Sequence, residues 1–456
     1  MTCRAFRLLA AVALASLPVW SAPAADAVTP PVVDDARLPA PRPPSPPEPT
    51  EQRQQCVSST ETTRPESPTQ LQGFDLEAVW RLSRGASQTV AVIDTGVARH
   101  RLLPRLVPGG DYVSTGDGTD DCDGHGTVVA GIIAATNDRG GFSGVAPDAT
   151  IIGIRQSSVK FAPAGRSAPG VGDVNTLAMA VRTAADLGAT VINISSIACV
   201  DAADPLDDRA LGAALEYAVE VKNAVVVAAA GNVGGLGHCP DQNPVDPAGA
   251  GEPDWESVKV VVSPAWYDDY VLTVGSIDPQ GAPSEFTLAG PWVDVAAPGE
   301  AVISLDADGE GLVDTLPVLG DPMPIVGTSY AAPVVSGIAA LVRARSPHLT
   351  ARQVMRRIED TAHRPPSGWD PFVGHGVVDA LAAVTGEPSG ARMSVVTPPR
   401  NDHTTVAPPL SDPPDSGARR VAFSGAGVCV AIAAAVITMT ATVGWSRRRT
   451  DAVMRD

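Results

Sequence analysis

The segment Gly327-Thr-Ser-Tyr-Ala-Ala-Pro-Val-Val-Ser-Gly337 places a serine at the start of an apolar run that extends through Val342. Such a run predicts a buried helix, whose first-turn N–H groups and dipole would favour negative charge beside Ser329. A serine hydroxyl is an effective nucleophile only with a base, an orienting carboxylate and an oxyanion site. A chain that uses Ser329 in this way must supply these three groups elsewhere.

Three further segments supply groups of these types. A predicted buried strand ends in Asp94, His125 lies between two glycines where an apolar helix begins, and Asn232 follows a glycine at the end of another apolar run. In this interpretation Asp94 orients His125, His125 accepts the proton of Ser329, and the Asn232 amide binds the oxyanion. Each segment alone is a weak signal, because strand-end aspartates and single histidines are more often structural.

The order Asp94, His125, Ser329 makes the combination specific, since subtilisin has its catalytic residues in this order. Together with Asn232, these segments resemble the subtilisin-like serine proteases. The resemblance implies an endopeptidase that cleaves proteins or peptides with an Asp-His-Ser triad, and we expect no cofactor.

The pattern of apolar runs predicts an α/β fold. Beyond the strand that ends in Asp94, apolar runs alternate with helical stretches, which favours parallel strands covered by helices on both faces. The predicted strands are 151–154, 190–194, 224–229 and 271–274, and the predicted helices are 127–135, 174–187 and 206–221. With the resemblance, this predicts a subtilisin-like three-layer fold with a mainly parallel central sheet.

The N-terminal region is predicted to contain two segments before the catalytic domain, residues 73–385. Residues 1–27 carry two arginines, a short apolar run and small residues typical of a signal-peptide cleavage site. Residues 28–72 form a proline-rich extension, with nine prolines between positions 29 and 50, and should be extended or disordered. This extension is either a spacer or an arm that lies along the catalytic domain.

The C-terminal region has the composition of a membrane anchor. Residues 386–420 are rich in Pro, Ser, Thr and Asp and predict a flexible tether. The 25 residues 421–445 carry no charge, which is long enough to span a bilayer, and Arg447 to Arg449 follow. We therefore expect a single transmembrane helix, a cytoplasmic tail (446–456) and a catalytic domain on the extracytoplasmic side.

Four cysteines, Cys56, Cys122, Cys199 and Cys239, lie outside the predicted signal peptide and transmembrane segment. In an exported chain this even number predicts two disulfides, for which three pairings exist. Cys199 and Cys239 follow strands that should be neighbours, which favours their pairing and leaves Cys56 to pair with Cys122.

The charge of the chain and the spacing of its aspartates argue against binding to nucleic acid and to calcium. The net charge of −18 argues against binding to nucleic acid. Asp117, Asp120, Asp121 and Asp123 cluster before His125, but they miss the ligand spacing of a calcium loop. We therefore expect a solvated acidic loop and no metal site.

The chain resembles one group of subtilisin-like proteases in particular, the mycosins of actinobacterial type VII secretion systems. The signal peptide, the proline-rich arm with its cysteine, Asp-Thr-Gly, the Cys-x-Gly-His-Gly-Thr neighbourhood, Asn-Ile-Ser, Ala-Ala-Gly-Asn, Gly-Thr-Ser, the tether and the terminal span carry this resemblance. It implies a membrane-anchored protease with an extension wrapped on its catalytic domain and an association with the secretion membrane complex.

One segment departs from the wider subtilisin pattern. Where general subtilisins continue with Gly-Gly after Asn-Ile-Ser, this chain continues with Ser196-Ile197-Ala198-Cys199. Ser195, Ser196, Ile197 and Gly231 are the predicted substrate-binding residues, and side chains in this wall should narrow the specificity pocket. We expect selective cleavage. The alternatives are a mainly structural role in stabilising the secretion complex and a general cell-surface protease.

Overall fold

The computed structural model describes residues 28–58, 70–136, 142–166, 170–235, 239–246, 251–318 and 321–386. No helix within these ranges combines the length and the hydropathy that crossing a bilayer requires. The predicted signal peptide, transmembrane segment and cytoplasmic tail lie outside the described residues, as does the predicted tether beyond Gly386.

A seven-stranded, entirely parallel sheet forms the centre of the domain, in the order β11-β10-β8-β6-β2-β4-β3. The strands, in chain order, are β1 Thr50–Gln52, β2 Thr89–Asp94, β3 Leu106–Asp111, β4 Thr150–Arg155, β5 Phe161–Pro163, β6 Val191–Ile194, β7 Ala198–Asp201, β8 Val225–Ala229, β9 Val260–Ser263, β10 Leu272–Ile277, β11 Val295–Pro298, β12 Ser304–Leu305, β13 Leu312–Val313, β14 Thr315–Val318 and β15 Asp321–Pro324. Every residue of β6, β8 and β10 is buried, so both faces of the sheet are covered, as the predicted three layers require.

Helices provide this cover in two packed pairs. The helices are α1 Leu76–Trp80, α2 His125–Ala134, α3 Val174–Asp186, α4 Arg209–Glu216, α5 Thr328–Arg345, α6 Ala351–Thr361 and α7 Ala380–Thr385, with a 3₁₀ turn at Asp35–Arg37 and a π-helical turn at Tyr217–Val221. Helix α2 packs on α5, α3 packs on α4, and each pair contacts the sheet. Residues Thr328 to Val342 of α5 are buried except Ser329, which explains the long apolar run.

The predicted helix 206–221 begins three residues too early, whereas its end at Val221 is confirmed. Helix α4 begins only after Asp208, whose backbone is not helical and whose buried carboxylate is held by hydrogen bonds from Ser263, Trp266 and Tyr267. At its other end α4 continues as the π-helical turn. The two edge strands of the sheet, β3 and β11, were not predicted.

The strand order places the candidate residues at one edge of the sheet. After β2 the chain builds β3 and β4 on one side of this strand, then crosses to β6, β8, β10 and β11 on the other. Ligands of open α/β sheets bind outside the carboxyl ends of the strands at such a reversal. The carboxyl ends of β2, β6 and β8 lead into Asp94, Ser195 and the Gly231-Asn232 turn, respectively.

Among the described residues, four antiparallel strand pairs form besides the central sheet: β1 with β5, β7 with β9, β12 with β13, and β14 with β15. The β14–β15 hairpin lies next to the loop before His125, since a Cβ added to Gly124 would lie 3.4 Å from Leu316 Cδ2. The same Cβ would lie 2.9 Å from Val57 Cγ2 of the N-terminal extension. The hairpin and the extension therefore flank the start of α2.

The described part of the extension, residues 28–58, lies along the catalytic domain as an arm. Arg182 of α3 donates to the carbonyl of Pro39 at 3.2 Å, and further along β1 pairs with β5. The arm ends in a disulfide between Cys56 and Cys122, and the N–H of Val57 donates to the Cys122 carbonyl. The arm is therefore fixed three residues before His125.

Candidate active site

Asp94 and His125 form a hydrogen-bonded pair in which the carboxylate is buried and the imidazole is partly exposed. Asp94 is the last residue of β2 and is fully buried, and His125 is the first residue of α2. His125 Nδ1 lies 2.7 Å from Asp94 Oδ1, which also accepts from the backbone N–H of Thr95 at 2.7 Å. A carboxylate at Nδ1 selects the tautomer with its proton on Nδ1. Nε2 is therefore the basic atom of the ring.

The close approach of the strand end and the helix start requires glycine at position 126. A Cβ added to Gly126 would lie 2.0 Å from the Gly96 carbonyl oxygen and 3.0 Å from Asp94 Cβ. Any side chain there would push His125 away from its carboxylate. This is the physical reason for the glycine that follows His125 in the sequence.

Ser329 is the second residue of α5, directly after Gly327-Thr328. Its Oγ donates to the carbonyl of Ser195 at a distance of 3.4 Å. The next residue, Tyr330, packs its ring against the imidazole of His125, with the ring centroids 5.0 Å apart. The first turn of α5 therefore lies against both the end of β6 and the imidazole of His125.

Thr328 sets the orientation of the Asn232 amide. Asn232 Oδ1 accepts from the backbone N–H of Thr328 at 2.9 Å and from its hydroxyl at 3.0 Å. Because both partners are donors, the amide oxygen is on this side and Nδ2 is the free donor. A Cβ added to Gly327 would lie 3.5 Å from Asn232 Nδ2, so this donor faces the chain immediately before Ser329.

Asp121 organises the loop before His125. Its Oδ1 accepts from Thr95 Oγ1 and the Gly124 N–H, and its Oδ2 accepts from the N–H and hydroxyl of Thr127. It therefore supplies acceptors for N–H groups at the start of α2. The expectation of a solvated acidic loop is wrong for this residue. Burial raises the pKa of Asp121 to about 6, against the effect of its hydrogen bonds.

Three carboxylates control the pKa of His125. Burial is the largest influence and lowers the pKa, but the charge and hydrogen bond of Asp94, with the charges of Asp121 and Asp123, outweigh it. The pKa of His125 is therefore raised above 6.5. The same groups therefore stabilise the imidazolium form of His125.

The predicted substrate-binding residues divide into two sets. Gly231 has a φ of +110°, and a Cβ on it would lie 3.1 Å from Cys239 Sγ and 3.4 Å from Ile197 Cδ1. The structure therefore brings Ile197 and the Cys199–Cys239 disulfide against Gly231. Both disulfides have the pairing that the sequence analysis favoured.

Ser196 and Ser195 point elsewhere. The hydroxyl of Ser196 lies 3.3 Å from that of Ser157, on the far side of the β6 end. The side chain of Ser195 is only 3% exposed and turns inward, where it donates to the Ser329 backbone carbonyl at 2.8 Å. Ser195 can therefore offer a substrate its backbone only, since its hydroxyl is already used.

Sequence reasoning missed three residues of the site: Thr328, Asp121 and Tyr330. Thr328 and Tyr330 flank the candidate nucleophile, and their adjacency to Ser329 was the available signal. Asp121 was hidden among four aspartates, although Thr127 six residues later is a possible helix-start partner. Within the described ranges, no group of three or more His, Cys, Asp or Glu side chains is arranged to hold a metal ion.

This fold and this site define a subtilisin-like serine peptidase, and comparisons with known proteins agree. The family model described as the subtilase family matches residues 85–376. Mycosin-4 of Mycobacterium tuberculosis is 58% identical, over 98% of this chain and 97% of the relative. Mycosin-3 of the same organism is 44% identical, over 98% of both chains. The chain belongs to the subtilase family and, within it, to the mycosins.

Solved structures of two relatives are also similar. The MycP3 protease from the type VII (ESX-3) secretion system is 46% identical, with a TM-score of 0.72, over 78% of this chain and 99% of that chain. A chain of an intact ESX-5 inner membrane complex is 39% identical, with a TM-score of 0.73, over 91% of this chain and 100% of that chain.

Proposed function

We propose that the chain is a serine endopeptidase of a type VII secretion system in which Asp94, His125 and Ser329 are the catalytic residues and Asn232 binds the oxyanion. The observation that carries this proposal is the arrangement around Ser329. His125, which lies 2.7 Å from Asp94, packs against Tyr330 in the first turn of α5. In the same turn, Thr328 binds the amide oxygen of Asn232 and leaves Nδ2 free to donate.

The reaction follows from these positions. His125 Nε2 takes the Ser329 proton as Oγ bonds to the scissile carbonyl carbon, and the carbonyl oxygen becomes an oxyanion that accepts from Asn232 Nδ2. The C–N bond then breaks, and the leaving amine takes the proton from His125. Water, deprotonated by His125, then attacks the acyl-enzyme in the same way, and the carboxylic acid product is released as Ser329 regains its proton. Throughout, Asp94 stabilises the imidazolium and keeps its orientation.

The resting hydroxyl of Ser329 must rotate for the first step. It donates to the Ser195 carbonyl at 3.4 Å, so this hydrogen bond must break before the proton can pass to His125. Hydrogen bonds in substrate-free sites often become aligned only when the substrate binds. We infer that the scissile peptide displaces this contact as it enters.

Selective cleavage is supported by the wall beside Gly231. Ile197 and the Cys239 sulfur occupy the space next to this backbone, which leaves less room for a large substrate side chain. We propose that Ile197, Gly231 and the backbones of Ser195 and Ser196 bind substrate and that small residues are preferred at this position.

We further propose the domain organisation of a membrane-anchored exported enzyme. Residues 1–27 act as a signal peptide, 28–72 as the arm, 73–385 as the catalytic domain and 386–420 as a tether. The uncharged segment 421–445 crosses the membrane once, and 446–456 form the cytoplasmic tail. The catalytic domain then lies on the extracytoplasmic side.

An association with the secretion membrane complex is supported by the relatives. A similar chain is part of an ESX-5 inner membrane complex, and the similarity extends over 91% of this chain. This favours a second function, in which the protein stabilises the complex whether or not it cleaves a substrate.

The test compares a strain carrying Ser329→Ala with a deletion strain by mass spectrometry of the proteins in the culture medium. We expect Ser329→Ala to export its substrates but to leave at least one uncut, whereas the deletion stops export. If neither strain changes type VII export, the secretion assignment fails and a general surface protease becomes the better account. If Ser329→Ala leaves no protein uncut, the proteolytic role fails.

A further inference from the structure

Three buried side chains link the helix of Ser329 to strand β6. Ser336 Oγ donates to Asn193 Oδ1 at 2.8 Å, and Asn193 Nδ2 donates to Ser195 Oγ at 3.0 Å. Ser195 Oγ donates to the backbone carbonyl of Ser329 at 2.8 Å. Ser336 and Asn193 are 0% exposed and Ser195 is 3% exposed, so solvent does not compete for these bonds. We call this set the serine–asparagine chain.

Counting protons gives the chain one direction. The Ser329 carbonyl oxygen can only accept, so the single hydroxyl proton of Ser195 is used there. The Ser195 oxygen must then accept from the amide nitrogen of Asn193, which turns the Asn193 oxygen to the hydroxyl of Ser336. Each of the three hydrogen bonds therefore has a fixed donor and a fixed acceptor, and no other assignment satisfies all of these groups.

A proline explains why the Ser329 carbonyl needs a side-chain donor. In a regular helix this carbonyl would accept from the N–H of residue 333, four positions later. Position 333 is Pro333, inside α5, and proline has no N–H. The Ser195 hydroxyl replaces the missing donor. Because Ser336 lies on the same helix, the serine–asparagine chain connects two positions of α5 through the residues of β6 and Ser195.

We propose that Ser195, held in place by Asn193 and Ser336, is a positioning residue that fixes the backbone of Ser329 and thereby the place of its Oγ. This inference rests on the proposed role of Ser329 as the nucleophile. The backbone of Ser195 adds a second contact, since its carbonyl accepts from the resting Ser329 hydroxyl at 3.4 Å. Small misplacements of a reacting atom cost up to about a hundredfold in rate.

The test measures how fast a fluorophosphonate reacts with Ser329 in the purified full-length chain. This reagent forms a bond between phosphorus and Oγ and releases fluoride, so it reports on the nucleophile without needing a known substrate sequence. We expect Ser195→Ala to lower the maximal phosphonylation rate roughly ten- to hundredfold without changing the half-saturating concentration. Ser336→Ala, which leaves Asn193 and Ser195 in place, should cause a smaller fall.

Ser83→Ala is the matched control. Ser83 is buried and donates to the carbonyl of Leu341 at 2.8 Å, so it makes the same kind of bond to the same helix, away from its first turn. Its loss should lower the thermal unfolding midpoint about as much as Ser195→Ala while leaving the phosphonylation rate unchanged. The acid side of the pH–rate profile should be the same in all variants, because the chain acts on Ser329 and not on His125.

A rescue separates positioning from other roles. Pro333→Ala restores a backbone N–H at position 333, which can donate to the Ser329 carbonyl. The rate loss caused by Ser195→Ala should therefore be smaller in the Pro333→Ala background. An equal loss in both backgrounds, or a change in the half-saturating concentration alone, would overturn the proposal. If Ser195→Ala does not fold, Ser336→Ala still tests it: an unchanged rate there counts against the chain.

The proposed function fails in a different way. If the wild-type chain is not phosphonylated, or if Ser329→Ala is phosphonylated equally, Ser329 is not the nucleophile and the positioning role falls with it. If the wild-type chain reacts at Ser329 but Ser195→Ala reacts just as fast, only the positioning role is wrong.

Discussion

The two sides of the site are stabilised by different forces. On the histidine side, the carboxylates of Asp94, Asp121 and Asp123 act on His125, and the loop before it is joined to the N-terminal arm by a disulfide. On the serine side, neutral hydrogen bonds between buried side chains hold Ser329 against β6, within the core of the domain.

The difference teaches that the proposed general base and the proposed nucleophile depend on different properties of their surroundings. A general base needs a suitable pKa, and the neighbouring carboxylates raise the pKa of His125. A hydroxyl nucleophile does not titrate in the pH range of a histidine, and besides its base and the oxyanion donor it needs an accurate position. The histidine side should therefore respond to pH and to release of the arm, and the serine side should respond to neither.

The largest expected effect is that of Asp94→Asn. The amide cannot stabilise the imidazolium and favours the wrong histidine tautomer, so kcat/KM on an unfolded protein substrate should fall on the order of 10⁴-fold. The unfolding midpoint of the variant, measured in parallel, shows whether the fold is kept. A loss of less than tenfold in a folded variant would mean that the electrostatic description of the histidine side is wrong.

Asn232→Leu should be the next largest effect. It removes the oxyanion donor and should lower kcat about 10²- to 10³-fold with little change in KM. Thr328→Val keeps the backbone donor to Asn232 Oδ1 and removes only the hydroxyl, so its effect should be clearly smaller. Steady-state kinetics at several pH values should give the same loss at each. A strongly pH-dependent loss would contradict the assignment of Asn232 to the serine side, where the hydrogen bonds are between neutral groups.

Opening the arm disulfide should affect stability more than chemistry. Cys56→Ser with Cys122→Ser opens a link with a sequence separation of 66 and should lower the free energy of unfolding by about 2–4 kcal/mol. We also expect a several-fold loss of kcat/KM, because the loop before His125 loses its attachment.

The second disulfide is the control for the first. Cys199→Ser with Cys239→Ser opens a link with a sequence separation of 40, beside Gly231, and should change KM more than kcat. Denaturant unfolding and peptide kinetics on both double variants measure this contrast. If both double variants change KM equally, the Cys56–Cys122 disulfide does not act on the loop before His125 alone, and the Cys199–Cys239 disulfide does not act on the substrate-binding wall alone.

The smallest expected effect is a shift in the pH profile. His125 must be neutral to act as a base and its pKa is raised, so kcat/KM should rise with pH through an apparent pKa above 6.5. Asp121→Asn removes one of the charges that raise this pKa, so the acid limb should move to lower pH. Ser195→Ala should not shift the acid limb of the kcat/KM profile. A shift to higher pH in Asp121→Asn would contradict the electrostatic account.

The residues that the sequence predicted are those that apolar runs mark. Asp94 ends a buried strand, Asn232 follows one, and Ser329 lies at the start of a buried helix. In a parallel sheet, residues at the carboxyl ends of the strands lie close together. The edge strands were missed because their sequences oppose strand formation: β3 contains Pro108, Gly109 and Gly110, which are tolerated at a sheet edge. Pairing with β4 at the edge of the sheet overrides local propensity in β3.

The second group of polar residues could not be predicted in the same way. The partners of Ser195, Asn193 and Ser336 come from β6 and α5, which are distant in the sequence, and any buried serine is compatible with many partners. Asp121 is indistinguishable from its exposed neighbours Asp117 and Asp120 until Thr95 and Thr127 surround it. Position in three dimensions, rather than residue type, gives these residues their roles.

The most direct test of the account is the site of covalent modification by a fluorophosphonate. The full-length chain would be treated with the reagent, and its adduct located by peptide mass spectrometry in the wild type, Ser329→Ala and Asp94→Asn. We expect one adduct on Ser329 in the wild type, a much slower reaction at the same residue in Asp94→Asn, and none in Ser329→Ala. An adduct on another residue, or an unchanged rate in Asp94→Asn, would contradict the assignment of the catalytic site.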